Sequence, residues 1–171
     1  IHSARYVTKT HTTNVATFRT PTLGPIGLVT KHRILFMQEL LETTRLDITS
    51  VNGTIPIVKA YAGMQGDLLE AIAHTKVDGL VIEALGAGNL PPQAVTALKK
   101  LLVQKIPVVL VSRCFNGIAE PVYDYEGGGK ELANMGIIFC NSINSQKARI
   151  KLLIALNHGL KDQSLISFIT Q

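Results

Sequence analysis

The sequence predicts an α/β fold: a small doubly wound parallel sheet of about four strands with flanking helices. Three observations carry this reading. Residues 55–171 alternate short apolar runs with amphipathic stretches in the order βαβαβαβα, with one more short helical stretch at the end. The strand runs are continuously apolar rather than alternating, as strands buried on both faces read. Hydrophobic residues make up 46% of the 171 residues and charged residues 17%, the balance of a packed core and not of a disordered chain.

The elements follow in order. Residues 55–61 form a β-prone run after the Asn52-Gly53 turn. Gly66-Asp67 opens a helix over 68–76, with Leu68, Leu69, Ile72 and Ala73 on one stripe. Residues 80–84 are the second strand. A second helix starts at Pro91 or Pro92, where a missing N–H matters little, and buries Ala94, Val95, Leu98, Leu101 and Leu102 before ending near Lys105. Residues 107–111 form a β-branched third strand, 128–135 a helix and 137–140 a fourth strand. Residues 145–157 form a helix facing the core with Ala148, Ile150, Leu152, Leu153 and Leu156, and 162–170 a last short helix.

Residues 1–54 differ. They are rich in Thr, carry turn signals at Pro21, Gly24-Pro25 and Gly27, and lack core-forming runs. This stretch reads as a tail and linker, not a self-sufficient domain. No apolar run is long enough to span a membrane. The start at Ile1 lacks the apolar region of a signal peptide and, without an initiator methionine, implies a longer gene product or processing. The net charge of +5 is spread thinly, with no basic block longer than Lys99-Lys100, which argues against nucleic-acid binding. Cys114 and Cys140 have no metal-ligand spacing and read as buried free thiols, a disulfide between them being the alternative. The five histidines are scattered, so no metal site is supported.

Ligands of open parallel sheets sit outside the carboxyl ends of the strands, so the loops there are the ones to inspect. Asn89, after Gly86 and Gly88, reads either as an N-cap on a tight turn or as a ligand-facing amide. The long loop 112–129 holds Glu120, Tyr123, Asp124 and Glu126, whose carboxylates suit acid/base work or simply a solvated surface. Its glycine triplet, 127–129, precedes a helix and offers N–H groups to an anion, without the spacing of a nucleotide loop. Lys9, alone in a hydroxyl-rich stretch, reads as a solvated strand lysine or as a base for a nucleophilic hydroxyl.

Taken together these segments resemble the bacterial-type L-asparaginases. Residues 4–18, Ala-Arg-Tyr-Val-Thr-Lys-Thr-His-Thr-Thr-Asn-Val-Ala-Thr-Phe, are similar to the family's R-x-V-T-K-T-x-T-T-x-V-A-T-F. Gly24-Pro25-Ile26-Gly27 matches its G-P-L-G turn, Gly88-Asn89-Leu90 its G-N-L, and Ser112-Arg113 its S-R. Residues 144–149, Asn-Ser-Gln-Lys-Ala-Arg, match N-P-Q-K-A-R. The resemblance implies hydrolysis of L-asparagine to L-aspartate and ammonia through a threonine nucleophile, with no metal or organic cofactor. It implies a homo-oligomer, a dimer of dimers, with sites shared between subunits.

The family's T-G-G-T-I and T-D-T segments do not occur in this chain. The resemblance therefore covers the C-terminal half alone. On it, residues 1–30 are the tail of an N-terminal domain, 31–54 an interdomain linker and 55–171 the C-terminal domain. Lys9 falls on the catalytic lysine. Asn89 falls on a residue that binds the substrate's α-amino end in a neighbouring subunit's site. An acidic residue from the loop after the third strand joins it; Glu126 is the first choice, with Asp124 and Tyr123 as rivals. The fragment alone is expected to be inactive. A cytoplasmic location is expected from the cysteine usage. The alternative is a binding module for a small molecule or a protein, without catalysis.

Overall fold

The computed structural model describes residues 1–40 and 44–171; residues 41–43 of the expected linker lie outside the described residues. The chain divides into two compact units, 1–44 and 45–171.

The first unit holds two antiparallel hairpins in a stretch whose sequence shows no sustained strand period. Strands β1 (Thr8–Lys9) and β2 (Phe18–Arg19) pair with Lys9 opposite Phe18. Strands β3 (Gly27–Val29) and β4 (Ile34–Phe36) pair with Leu28 opposite Leu35. Both are two or three residues long, too short to carry a period, which is why the sequence hid them. The β3–β4 turn is closed by Thr30, whose amide and hydroxyl both donate to the Arg33 carbonyl.

The second unit carries a four-stranded parallel sheet in the order β5 (Ile57–Lys59), β6 (Leu80–Ala84), β7 (Val108–Ser112), β8 (Ile138–Phe139). Helices α1 (Asp67–Ala73), α2 (Pro92–Val103) and α3 (Gly129–Asn134) connect successive strands. Because the strands advance in one direction and crossovers are right-handed, these three helices share one face. Leu69, Leu98, Leu101 and Leu132 from them pack on Val58, Ile82 and Leu110. Helices α4 (Ser145–Asn157) and α5 (Asp162–Thr170) cover the other face, with Leu152, Leu165 and Ile169 against Val81, Val109 and Ile138. Both faces are thus buried, as the continuous apolar runs require. The strand order never reverses, so no switch-point crevice lies within these four strands.

Two core assignments need correction. Leu68 and Ile150 are exposed, because the buried stripe of a helix is narrower than its apolar stripe. Ala97, unassigned from sequence, is buried on α2. Leu102 is only partly buried at the edge of the same core. Both cysteines are free thiols, Cys140 buried and Cys114 exposed, against the expectation that both are buried.

Candidate functional site

The carboxyl ends of β6 and β7 lead into two loops that are fastened to each other. Ser112 Oγ donates to the Gly86 carbonyl (2.6 Å), Glu120 N to the Ala87 carbonyl (2.7 Å), and Leu90 N to the Gly127 carbonyl (2.9 Å). Asn89 supplies the fourth tie: its Oδ1 accepts from Gly129 N (3.1 Å) in a buried position. Residues 85–90 and 112–129 therefore form one platform.

Asn89 is not the N-cap of its own helix. The segment closes on itself, Leu85 and Asn89 exchanging backbone hydrogen bonds of 2.9 Å across Gly86 and Gly88, both at positive φ. Pro91 takes the N-cap place of α2, and Pro92 behind it has no N–H to be capped. The side chain turns instead to the first amide of α3, capping a neighbouring helix. Its Nδ2 has a long contact to the Leu85 carbonyl (3.5 Å), and Oδ1 keeps a second lone pair.

The glycine triplet does not offer its amides to an anion. Gly127 N donates to Glu131 Oε2 (2.7 Å), Gly128 N to the Tyr125 carbonyl (2.7 Å), and Gly129 N to Asn89. Glycine is needed for close approach: a Cβ on Gly127, at φ +81°, would stand 2.1 Å from the Leu90 carbonyl oxygen, and one on Gly128 2.5 Å from that of Tyr123.

The fold brings the Glu126 backbone beside the Asn89 loop, because Gly127 pairs with Leu90; the Glu126 side chain is exposed. Asp124 is also exposed and pairs with Lys130 at 3.5 Å. Tyr123 lies against Tyr125, ring centroids 5.8 Å apart. Lys9 belongs to the other unit. Its ammonium, on an exposed residue of β1, donates to the carbonyls of His11 (2.7 Å) and Thr12 (2.9 Å).

One polar group escaped the sequence reading. Ser145, fully buried at the start of α4, donates to Glu83 (2.5 Å), whose other oxygen meets Lys59 (3.1 Å). Ser145 stands where the family segment has proline. Glu83, a carboxylate inside an otherwise apolar strand, was the available signal. Nearby on α4, burial holds the Lys147 ammonium below its ordinary value. Among the described residues no group of three or more His, Cys, Asp or Glu could hold a metal ion, and no helix is long and apolar enough to cross a membrane.

A parallel sheet covered on both faces, with a polar amide clamped among its carboxyl-end loops, defines an α/β protein. Comparison with known proteins makes this specific. Residues 54–167 match the glutaminase/asparaginase C-terminal domain model, and residues 1–42 match the asparaginase N-terminal model. The chain belongs to the glutaminase/asparaginase family. It is 38% identical over its whole length to a probable L-asparaginase of Deinococcus radiodurans, covering 53% of that protein. It is 30% identical, over 95% of its length, to an L-asparaginase of Bacillus licheniformis, covering 52%. One component of the glutamyl-tRNA(Gln) amidotransferase of Methanobrevibacter smithii is 30% identical over 89% of the chain, which covers 36% of that polypeptide. The chain thus spans about half the length of the L-asparaginases it matches.

Proposed function

We propose that this chain is the C-terminal part of an L-asparaginase, an enzyme that hydrolyses L-asparagine to L-aspartate and ammonia. A threonine outside this chain is the nucleophile, and residues 1–30, 31–54 and 55–171 are domain tail, linker and C-terminal domain. The observation that carries the reading is the tethering of Lys9: its ammonium is directed by hydrogen bonds to two loop carbonyls. Lys9 takes the hydroxyl proton of the nucleophile as it attacks the side-chain amide carbon. The acyl-enzyme forms as ammonia leaves, and water then releases aspartate.

Asn89 receives the α-ammonium of the substrate on the free lone pair of Oδ1, in a site completed by a second subunit. Glu126 is the carboxylate best placed to share that charge, since its backbone neighbour pairs with the Asn89 loop; Asp124 is already paired with Lys130, and Tyr123 with Tyr125. The working assembly is a dimer of dimers in the cytoplasm. No cofactor, nucleic acid or membrane takes part. The amidotransferase relative favours a second reading, in which the same amide chemistry serves a larger substrate.

Ammonia release from L-asparagine tests the proposal, measured on this chain and on the complete gene product. Activity of the complete product alone, abolished by Lys9→Met in a folded protein, supports it. Turnover by this chain alone would move the nucleophile into residues 8–13. Inactivity of both on asparagine and glutamine would leave a binding module.

A further inference from the structure

The Lys9 side chain is a flexible four-carbon stem with a rotating head, so something must aim it. A lysine ammonium has three N–H donors. The His11 and Thr12 carbonyls, at 2.7 and 2.9 Å, accept from two of them. With both engaged, the third tetrahedral position, the one that must be vacated for the nitrogen to act as a base, points one way only. These carbonyls belong to consecutive peptides of an exposed turn, an arrangement that needs bracing.

His11 is the brace. Its Nδ1 accepts from both Thr13 N (3.1 Å) and Asn14 N (3.0 Å), closing the turn over the Thr12 peptide. Its own backbone is locked by buried Thr17, whose hydroxyl accepts from His11 N (2.8 Å) and donates to the His11 carbonyl (2.6 Å). Asn14 Oδ1 holds the far side by accepting from Ala16 N (2.8 Å). A backbone N–H can only donate, so Nδ1 must carry a lone pair and the proton sits on Nε2. The family segment leaves this position open.

We propose that His11 is a positioning residue: through Nδ1 it holds the 11–14 turn that presents two carbonyls to Lys9 and so aims the lysine. This rests on the reading of Lys9 as the catalytic base. Asparagine places Oδ1 where histidine has Nδ1, whereas the glutamine amide lies one bond further out. The test therefore compares His11→Asn, His11→Gln and His11→Ala in the complete gene product, with Lys9→Met as control.

His11→Gln and His11→Ala should lose about 10–100-fold in kcat, the scale of a misplaced reacting group. Their KM should stay within about threefold, as for a group acting in the transition state alone. His11→Asn should remain within about threefold of the parent in kcat. Nitrogen-15 spectra of the His11 ring should show Nδ1 unprotonated, and the Thr13 and Asn14 amides should exchange faster in His11→Gln than in His11→Asn. If His11→Ala does not fold, the Asn and Gln pair still decides. Equal activity of those two, or a proton on Nδ1, overturns the proposal. Full activity of His11→Ala beside a dead Lys9→Met overturns the positioning role alone; full activity of Lys9→Met overturns the catalytic reading beneath it as well.

Discussion

The two units of this chain are held together by different forces. In residues 45–171 the buried side chains are large and apolar, with Leu69, Leu98, Leu110 and Leu152 fully enclosed. Among the described residues of 1–44 the buried side chains are Ser3, Thr17 and Thr20, while Phe18, Leu28, Val29, Ile34, Phe36 and Met37 stand exposed. Among the described residues every buried apolar side chain lies at Ile55 or beyond. Apolar burial contributes about 1.5–3 kcal/mol per large side chain, against about 0.5–1.5 kcal/mol net for a hydrogen bond. The α/β unit therefore has its own source of stability, and the hairpins have geometry without one. Asn89 sits in the first kind of structure and Lys9 in the second.

The sharpest way to break this contrast is a pair of truncations. Leu98→Ala should cost about 2–5 kcal/mol, and Phe36→Ala should stay within about 0.5 kcal/mol, read by denaturant unfolding of this chain. Similar losses at both would mean that the hairpins are packed in solution. Gly127→Ala comes next. It combines positive φ with a backbone clash, and should lower stability by more than about 2 kcal/mol.

Asn89 divides its roles by atom. Asn89→Ala should lose about 1–2 kcal/mol by leaving a buried amide unpaired. Asn89→Asp keeps an acceptor for Gly129 N and should unfold closer to the parent. The smallest effect belongs to Glu70, whose carboxyl the hydrogen bond and charge of Lys100 hold below the ordinary range on an open surface. Its folded value is depressed, so its contribution is present above the ordinary carboxylate range. That contribution is lost as pH falls through the lowered value. Glu70→Gln should flatten that part of the pH–stability curve slightly and change the neutral-pH midpoint within error.

The sheet was legible because its strands read as continuous apolar runs: 80–84, interrupted by Glu83 alone, and 107–111 leave little but a buried parallel arrangement. Helices over 145–157 and 162–170 were legible because a full apolar stripe repeats along them. The hairpins at 8–19 and 27–36 were not, since two- and three-residue strands are fixed by pairing and turns rather than by pattern. The same limit applies to the site. Asn89 could be singled out by its glycine neighbours, but its partner, the amide of Gly129, lies 40 residues away and is supplied only by the fold. The glycine triplet looked available to an anion because the sequence cannot show that Tyr125, Glu131 and Asn89 already accept from it.

The two thiols give the molecule a built-in clock. Cys114 stands in solvent on the β7 loop, whereas Cys140 is sealed at the end of β8, its Sγ directed at the Ile169 carbonyl of α5 (3.4 Å). A thiol reagent should consume one equivalent at once and the second only when α5 lifts from the sheet edge. The rate of that second reaction reads the free energy of a local opening in the native protein. It requires no mutation, and would report the opening of a helix that no proposed site residue touches.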